Sequence, residues 1–221
     1  MRPTNRSHHR FSPSATSNRH TVPCIMPRVN RSGLPAVAFR ERATSRQPRR
    51  AGLAVSEKWH EPHGSGAVRF ILHAPGVQFV HPVTAAEVKE RLSALPEQLK
   101  RGLEVVQFST MTRKRQTFPC YGMQWGSAIY LYPIEKDLVE NYSAPPTPAQ
   151  AIEARMFGGR WEQKGERWRL IWTPTAIRNF YLNNVLIHEL GHLVDARNNN
   201  ARDRERFANW FAIEYGYRRK R

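Results

Sequence analysis

Two histidines and a glutamate sit together in the run Val185-Leu-Ile-His188-Glu189-Leu-Gly-His192-Leu-Val-Asp195. Residues four apart on an α-helix lie one above the other on one face. A helix here therefore aims the His188 and His192 imidazoles at one point. Two neutral imidazoles suit a zinc ion, which histidine nitrogens hold at about 2.0–2.1 Å. Glu189 stands one position further on, at the border of that face, where it reaches a water on the metal without being a ligand. A zinc ion lowers the pKa of such a water to about 7 and polarises a carbonyl. A carboxylate beside it can take the proton and pass it to a leaving amine. The chemistry written into this spacing is metal-assisted hydrolysis.

The element that must hold these groups is an amphipathic helix. Leu182, Val185, Leu186, Leu190, Leu193 and Val194 form an apolar face beside the histidines, so the helix is buried. Thr173-Pro174-Thr175 opens it with a cap residue followed by proline in the first turn. It is expected to run from about Ala176 to Ala196, and Asn198-Asn-Asn200 stops it. Two histidines and a glutamate are costly to bury without partners, which favours ligands over incidental core residues.

A catalytic zinc needs three protein ligands and one open position. No histidine follows His192, so the third donor must be an acid if it lies downstream. A last helix, from Asp203 to about Tyr215, carries Glu205, Ala208, Asn209 and Ala212 on one face. Its small residues let it approach the histidine helix, which makes Glu205 the candidate third ligand. Asp195 is a rival on the histidine face, though a hydrogen bond to an imidazole suits its short side chain better. Asp203 is a second rival, better placed to cap the last helix.

The preceding chain supplies the scaffold. Residues 1–65 are rich in Arg, Ser, Pro and His without periodicity and read as a disordered basic tail. Order is expected from Val68. Strands are predicted over residues 69–73 and 77–80, broken by Pro75-Gly76. A helix capped by Thr84 follows over 85–95, Pro96 kinks it or starts another, and 105–108 reads as a short strand. Residues 111–116, with Arg113-Lys-Arg115, read as a solvated basic loop. A strand is expected at 128–132, a proline-rich linker at 142–148, and a short helix at 149–156. A hairpin then pairs 160–163 with 166–172 across Lys164-Gly165, which sets Trp161 opposite Trp168 and Glu162 opposite Arg167.

Charge separates the tails from the body. The chain of 221 residues carries a formal +17. Residues 1–50 hold eleven arginines against the single acid Glu41, a net +10, and Arg218-Arg-Lys-Arg221 adds +4. The body is left near +3, so any nucleic-acid contact belongs to the tails. The domain reading is accordingly 1–65 tail, 66–217 catalytic domain and 218–221 basic C-terminal tail. Cys24 and Cys120 are the only cysteines, which is neither a disulfide framework nor a cysteine zinc site, and a cytoplasmic location fits. No run of eighteen apolar residues is present, so no membrane span is expected. The N-terminus lacks the apolar core of a secretory signal, prolines interrupt any transit-type helix, and Met26 offers an alternative start.

His-Glu-Leu-Gly-His followed by Glu205 in a Glu-x-x-Ala-Asn frame resembles the zincin superfamily of HExxH metallopeptidases. It is most similar in style to gluzincins, among them compact proteins of the ImmA/IrrE kind. The resemblance covers about residues 175–215. It implies an α+β fold, a compact zincin-like domain whose small twisted sheet packs on the HExxH helix, with a C-terminal helix carrying the third ligand. It also implies that His188, His192 and Glu205 bind Zn2+, that Glu189 is the general base, and that the substrate is a protein or peptide. Phe207 departs from the pattern, since ImmA/IrrE proteins often have a second acid there. Asp195 and Asn198 stand where metzincins need Gly and His, and SprT-like proteases use a third histidine that is absent. The strand that aligns substrate in such folds would be 128–132 or 167–172. Tyr215 and Tyr217 are candidates for oxyanion stabilisation by position. The competing reading is a non-catalytic zinc-binding regulatory or interaction module of the same fold.

Overall fold

The computed structural model describes residues 59–61, 64, 66–112, 115–116 and 120–218. The expected basic N-terminal tail lies almost wholly outside the described residues, as does the C-terminal tail beyond Arg218. The fold is α+β. Its strands are β1 (Arg69–Leu72), β2 (Phe79–Val80), β3 (Val105–Phe108), β4 (Gly122–Trp125), β5 (Ala128–Leu131), β6 (Ile134–Glu135), β7 (Val139–Tyr142), β8 (Arg160–Lys164) and β9 (Arg167–Ile171). Its α-helices are α1 (Ala85–Ser93), α2 (Pro148–Met156), α3 (Pro174–Phe180), α4 (Leu186–Val194) and α5 (Ala201–Phe211).

The main sheet has the order β1-β3-β5-β4, with β1, β3 and β5 parallel and β4 antiparallel to β5 at one edge. Alternation along its strands divides two cores. Val106, Phe108, Ile129 and Leu131 face the helices and join the large core with Val185, Leu186 and Leu190. Val105, Ala128, Tyr130 and Met123 point the other way into a smaller cluster, as period-two side-chain geometry requires.

Local signals set the helix starts. Thr84 and Glu87 form a reciprocal cap on α1, with Glu87 N–H on Thr84 Oγ1 at 3.2 Å and Thr84 N–H on Glu87 Oε2 at 2.8 Å. Thr147 and Gln150 repeat the arrangement on α2, which begins directly at Pro148. The proline-rich stretch read as a linker therefore splits between the end of β7 and this cap. After Pro96 the chain makes only one 3-10 turn, Glu97–Leu99. The strand expected at 77–80 shortens to β2, because Gly76 takes a φ of +109° and its carbonyl receives Phe79 N–H at 3.2 Å.

Two expectations are corrected. The hairpin turn is Gly165-Glu166, so Trp161 faces Leu170, Glu162 faces Arg169 and Gln163 faces Trp168. Gly165 has a φ of +60°, and a type II′ turn needs positive φ at its first central residue; the glycine therefore pulls the register. Arg115, read as part of a solvated loop, is 8% exposed. Its guanidinium donates to Tyr132 Oη at 2.8 Å and to Cys120 Sγ at 2.9 Å, and lies 4.2 Å over the Tyr132 ring.

The second sheet, β7-β9-β8, is tied to the body through Glu140 of β7. This buried carboxylate accepts Tyr121 Oη–H at 2.8 Å and Trp172 Nε1–H at 3.0 Å, both on Oε2. Burial pushes its pKa from 4.5 to about 7, against the pull of those donors. Between these values the folded chain holds a proton that the unfolded chain has released. Stability is thus fullest below about pH 4.5 and declines as pH rises through about 7, by about 3 kcal/mol from this group. Glu140→Gln keeps an oxygen for both donors and cannot ionise. Urea unfolding at pH 5 and pH 8 should show the wild type losing about that much more stability than the variant; equal losses would refute the account.

Candidate metal centre

α3, a wider π-helical segment over Tyr181–Val185, and α4 follow one another without a break. The single helix expected over 176–196 is thus Pro174–Val194 with a π interruption, opened by Thr173, whose Oγ1 accepts Ala176 N–H at 3.1 Å. The interruption buries Asn183 and Asn184. Asn183 Oδ1 accepts Arg91 Nε–H at 2.9 Å, and Asn184 Nδ2 donates to Glu153 Oε1 at 2.8 Å. Buried amides are tolerated when satisfied in this way.

α4 is buried on nearly every side, and within it His188 is 3%, His192 2% and Glu189 0% exposed. Asn200, not Asp203, caps α5: its Oδ1 accepts Asp203 N–H at 2.9 Å. The two helices meet at small residues. A Cβ on Gly191 would lie 2.9 Å from Ala208 Cα and 3.1 Å from Phe211 Cβ, so the backbones approach as only glycine allows. Arg204 fastens the junction from α5 by donating to the His192 carbonyl at 3.3 Å, which also sets a cation near the C-terminus of α4.

That approach delivers Glu205 to the histidines. Its Oε1 lies 3.3 Å from His192 Nε2 and its Oε2 lies 3.6 Å from His188 Nε2. One ligand atom from each of the three residues falls within 4.8 Å of the others, in the only such group among the described residues. Ligands held tetrahedrally at about 2.0–2.1 Å stand about 3.3–3.4 Å apart. The two measured separations are near that edge length. Both ring nitrogens of His192 are buried without a hydrogen bond, as is Glu205 Oε1. Buried polar atoms left so are rare and expensive. A divalent cation would supply the partner that His192 Nε2 and Glu205 Oε1, 3.3 Å apart, both lack, so the donor set fits a metal.

The rival acids are placed elsewhere. Asp195 Oδ1 accepts the N–H groups of Arg197 and Asn198, each at 3.2 Å, and both its oxygens accept from Asn198 Nδ2. It builds the turn after α4 instead of bonding an imidazole. Asp203 receives Asn200 Nδ2 at 2.7 Å and pairs with Arg206 at 3.5 Å. The tyrosines considered for the oxyanion are packed in aromatic clusters, Tyr215 against Phe211 at 4.6 Å and Tyr217 against Phe157 at 5.6 Å between ring centroids.

The strand beside the site also differs from expectation. β5 is interior and β9 is central in its own sheet, so neither has an edge to offer. Among the described residues β4 pairs on one side only, with β5, and it lies against α4. Gly122 of β4 is the contact: a Cβ there would stand 3.0 Å from both Cγ and Oε1 of Glu189. Sequence reasoning passed over this residue. An isolated glycine in a strand-like Tyr-Gly-Met-Gln-Trp run signals close backbone approach, but only a known partner gives that signal meaning.

A HExxH helix, a third acidic donor from the next helix and a sheet edge alongside are consistent with a zincin-like metalloprotein fold. No protein-family model matches the chain, and neither a curated protein nor a solved structure matches it. No helix among the described residues is long and apolar enough to cross a membrane.

Proposed function

We propose that this protein is a zinc-dependent endopeptidase of compact gluzincin type, acting on protein or peptide substrates in the cytoplasm. The reading rests on one observation: His188, His192 and Glu205 bring their donor atoms together while Glu189, fully buried, adjoins the two histidines on their helix. His188, His192 and Glu205 would hold the zinc, leaving the fourth position open. When bound, the metal supplies Lewis acidity, polarising a carbonyl and acidifying water. Glu189 accepts the proton of the attacking water and returns it to the leaving nitrogen. The side of β4 that carries no neighbouring strand among the described residues would pair with an extended substrate backbone, the usual way an edge strand captures a peptide. A site of purely structural purpose would have closed coordination and no need of a base, which sets the regulatory-module reading second.

Purified protein should take up stoichiometric zinc, cleave unstructured peptides, lose that activity to a chelator and regain it with zinc. His188→Ala and Glu205→Ala should each weaken zinc binding by at least about 100-fold, more than the loss of an outer-shell partner. Stoichiometric zinc with no cleavage across a broad peptide library would overturn the peptidase reading. Undiminished zinc binding in either variant would overturn the ligand set.

A further inference from the structure

The backbone of β4 comes close to the Glu189 side chain at Gly122. The three atoms nearest to a Cβ built on Gly122 are Val185 Cγ1 at 2.8 Å, Glu189 Cγ at 3.0 Å and Glu189 Oε1 at 3.0 Å. None belongs to His188, His192 or Glu205. Gly122 is paired to Leu131 in the β4–β5 ladder, and its neighbour Tyr121 is fixed through Glu140 at 2.8 Å. The strand is therefore not free to retreat. Val185 is fully buried in the main core, and its branched side chain has little rotamer freedom in a helix. Glu189 is the longer, unbranched chain, so it is the group that must yield.

We propose that Gly122 is a positioning residue for Glu189: the missing side chain in β4 leaves the space in which the carboxylate is held beside the metal site. The proposal rests on the peptidase reading for its effect on rate, though not for its effect on geometry. A methyl group at 122 displaces the carboxylate while leaving the ligand atoms in place. Reactions that depend on a base at hydrogen-bond reach lose about 100-fold for misplacements near 1 Å.

The test is Gly122→Ala in the full chain loaded with zinc. Zinc stoichiometry should be unchanged, kcat should fall about 10- to 100-fold, and KM should stay within about threefold. In a Glu189→Gln background the same substitution should have no further effect on the residual rate, because it acts through the group already removed. A simple packing defect would lower both backgrounds alike, and that result would overturn the proposal. Should Gly122→Ala fail to fold, Gly122→Ala with Val185→Ala removes the valine contact and keeps the one with Glu189. A crystal structure of whichever variant folds decides the geometry without any activity. A displaced Glu189 carboxylate beside an unmoved His188, His192 and Glu205 supports the proposal, and an unmoved carboxylate refutes it. Wild type that binds zinc and cleaves nothing would refute the peptidase reading alone, and that structure would still judge Gly122.

Discussion

Glu189→Gln is expected to slow peptide hydrolysis by about 10²- to 10⁴-fold while the protein keeps its full complement of zinc. Glutamine has the same shape as glutamate, so it occupies the same space against Gly122 and Val185. It leaves His188, His192 and Glu205, whose donor atoms form the cluster, untouched. What it lacks is a basic oxygen. Positioned general bases contribute about 10²- to 10⁴-fold, which is about 3–5 kcal/mol of barrier. The loss should appear in kcat with little change in KM, because the proton moves only in the transition state. Zinc content by elemental analysis and single-turnover cleavage of a peptide check both halves. A variant that cleaves as fast as wild type would remove Glu189 from the mechanism. One that loses zinc would make Glu189 part of the metal's support.

The parts of this site that could be read from residues alone are those fixed by helix geometry. His188 and His192 are one turn apart, so any helix over that stretch brings their rings together, and the ring centroids are 4.7 Å apart. Glu205 was readable for a different reason. Ala208 and Ala212 beside it announce a face built for close approach, and both are almost fully buried. The strands were harder. β4, β6 and β7 are short and carry residues such as Gln124, Glu135 and Glu140 that favour no strand on their own. They exist because antiparallel partners (β5 for β4, β2 for β6, β9 for β7) and the aromatic cluster around Trp172 and Phe180 hold them. Asp195 was misread as a partner of an imidazole because helix phase was extended past Val194. The chain leaves the helix there, with Asp195 at a ψ of 90°. Arg115 was misread because charge predicts exposure, and only the fold reveals that Tyr132 and Cys120 wait to receive it.

Gly216→Ala should destabilise the protein more than a methyl group at any other described glycine. A second π-helical segment, Ala212–Tyr217, continues α5 and packs on the first, Tyr181–Val185. Gly216 is buried at that crossing, and a Cβ on it would land on the carbonyl oxygen of Asn183, with the carbonyl carbon 2.9 Å away. These are backbone atoms, so no rotamer can clear them. Nor can the segments slide apart locally. Arg91 spans them, donating to Asn183 Oδ1 at 2.9 Å and to the Tyr215 carbonyl at 2.7 Å. The crossing must therefore open as a unit. Overpacking of buried sites costs about 1–3 kcal/mol even where side chains can adjust, so a clash with fixed backbone should reach about 3 kcal/mol or more. Urea unfolding of the metal-free protein should show a lower midpoint at unchanged slope. Because α5 carries Glu205 and is continuous with the displaced segment, zinc affinity should fall as well, although position 216 is no ligand. Zinc stabilises the folded state by mass action, so the gap between wild type and variant should widen when zinc is present. Stability within about 0.5 kcal/mol of wild type would mean that the two segments do not cross at Gly216. Lost stability with unchanged zinc affinity would mean that the crossing supports the fold without setting the position of Glu205.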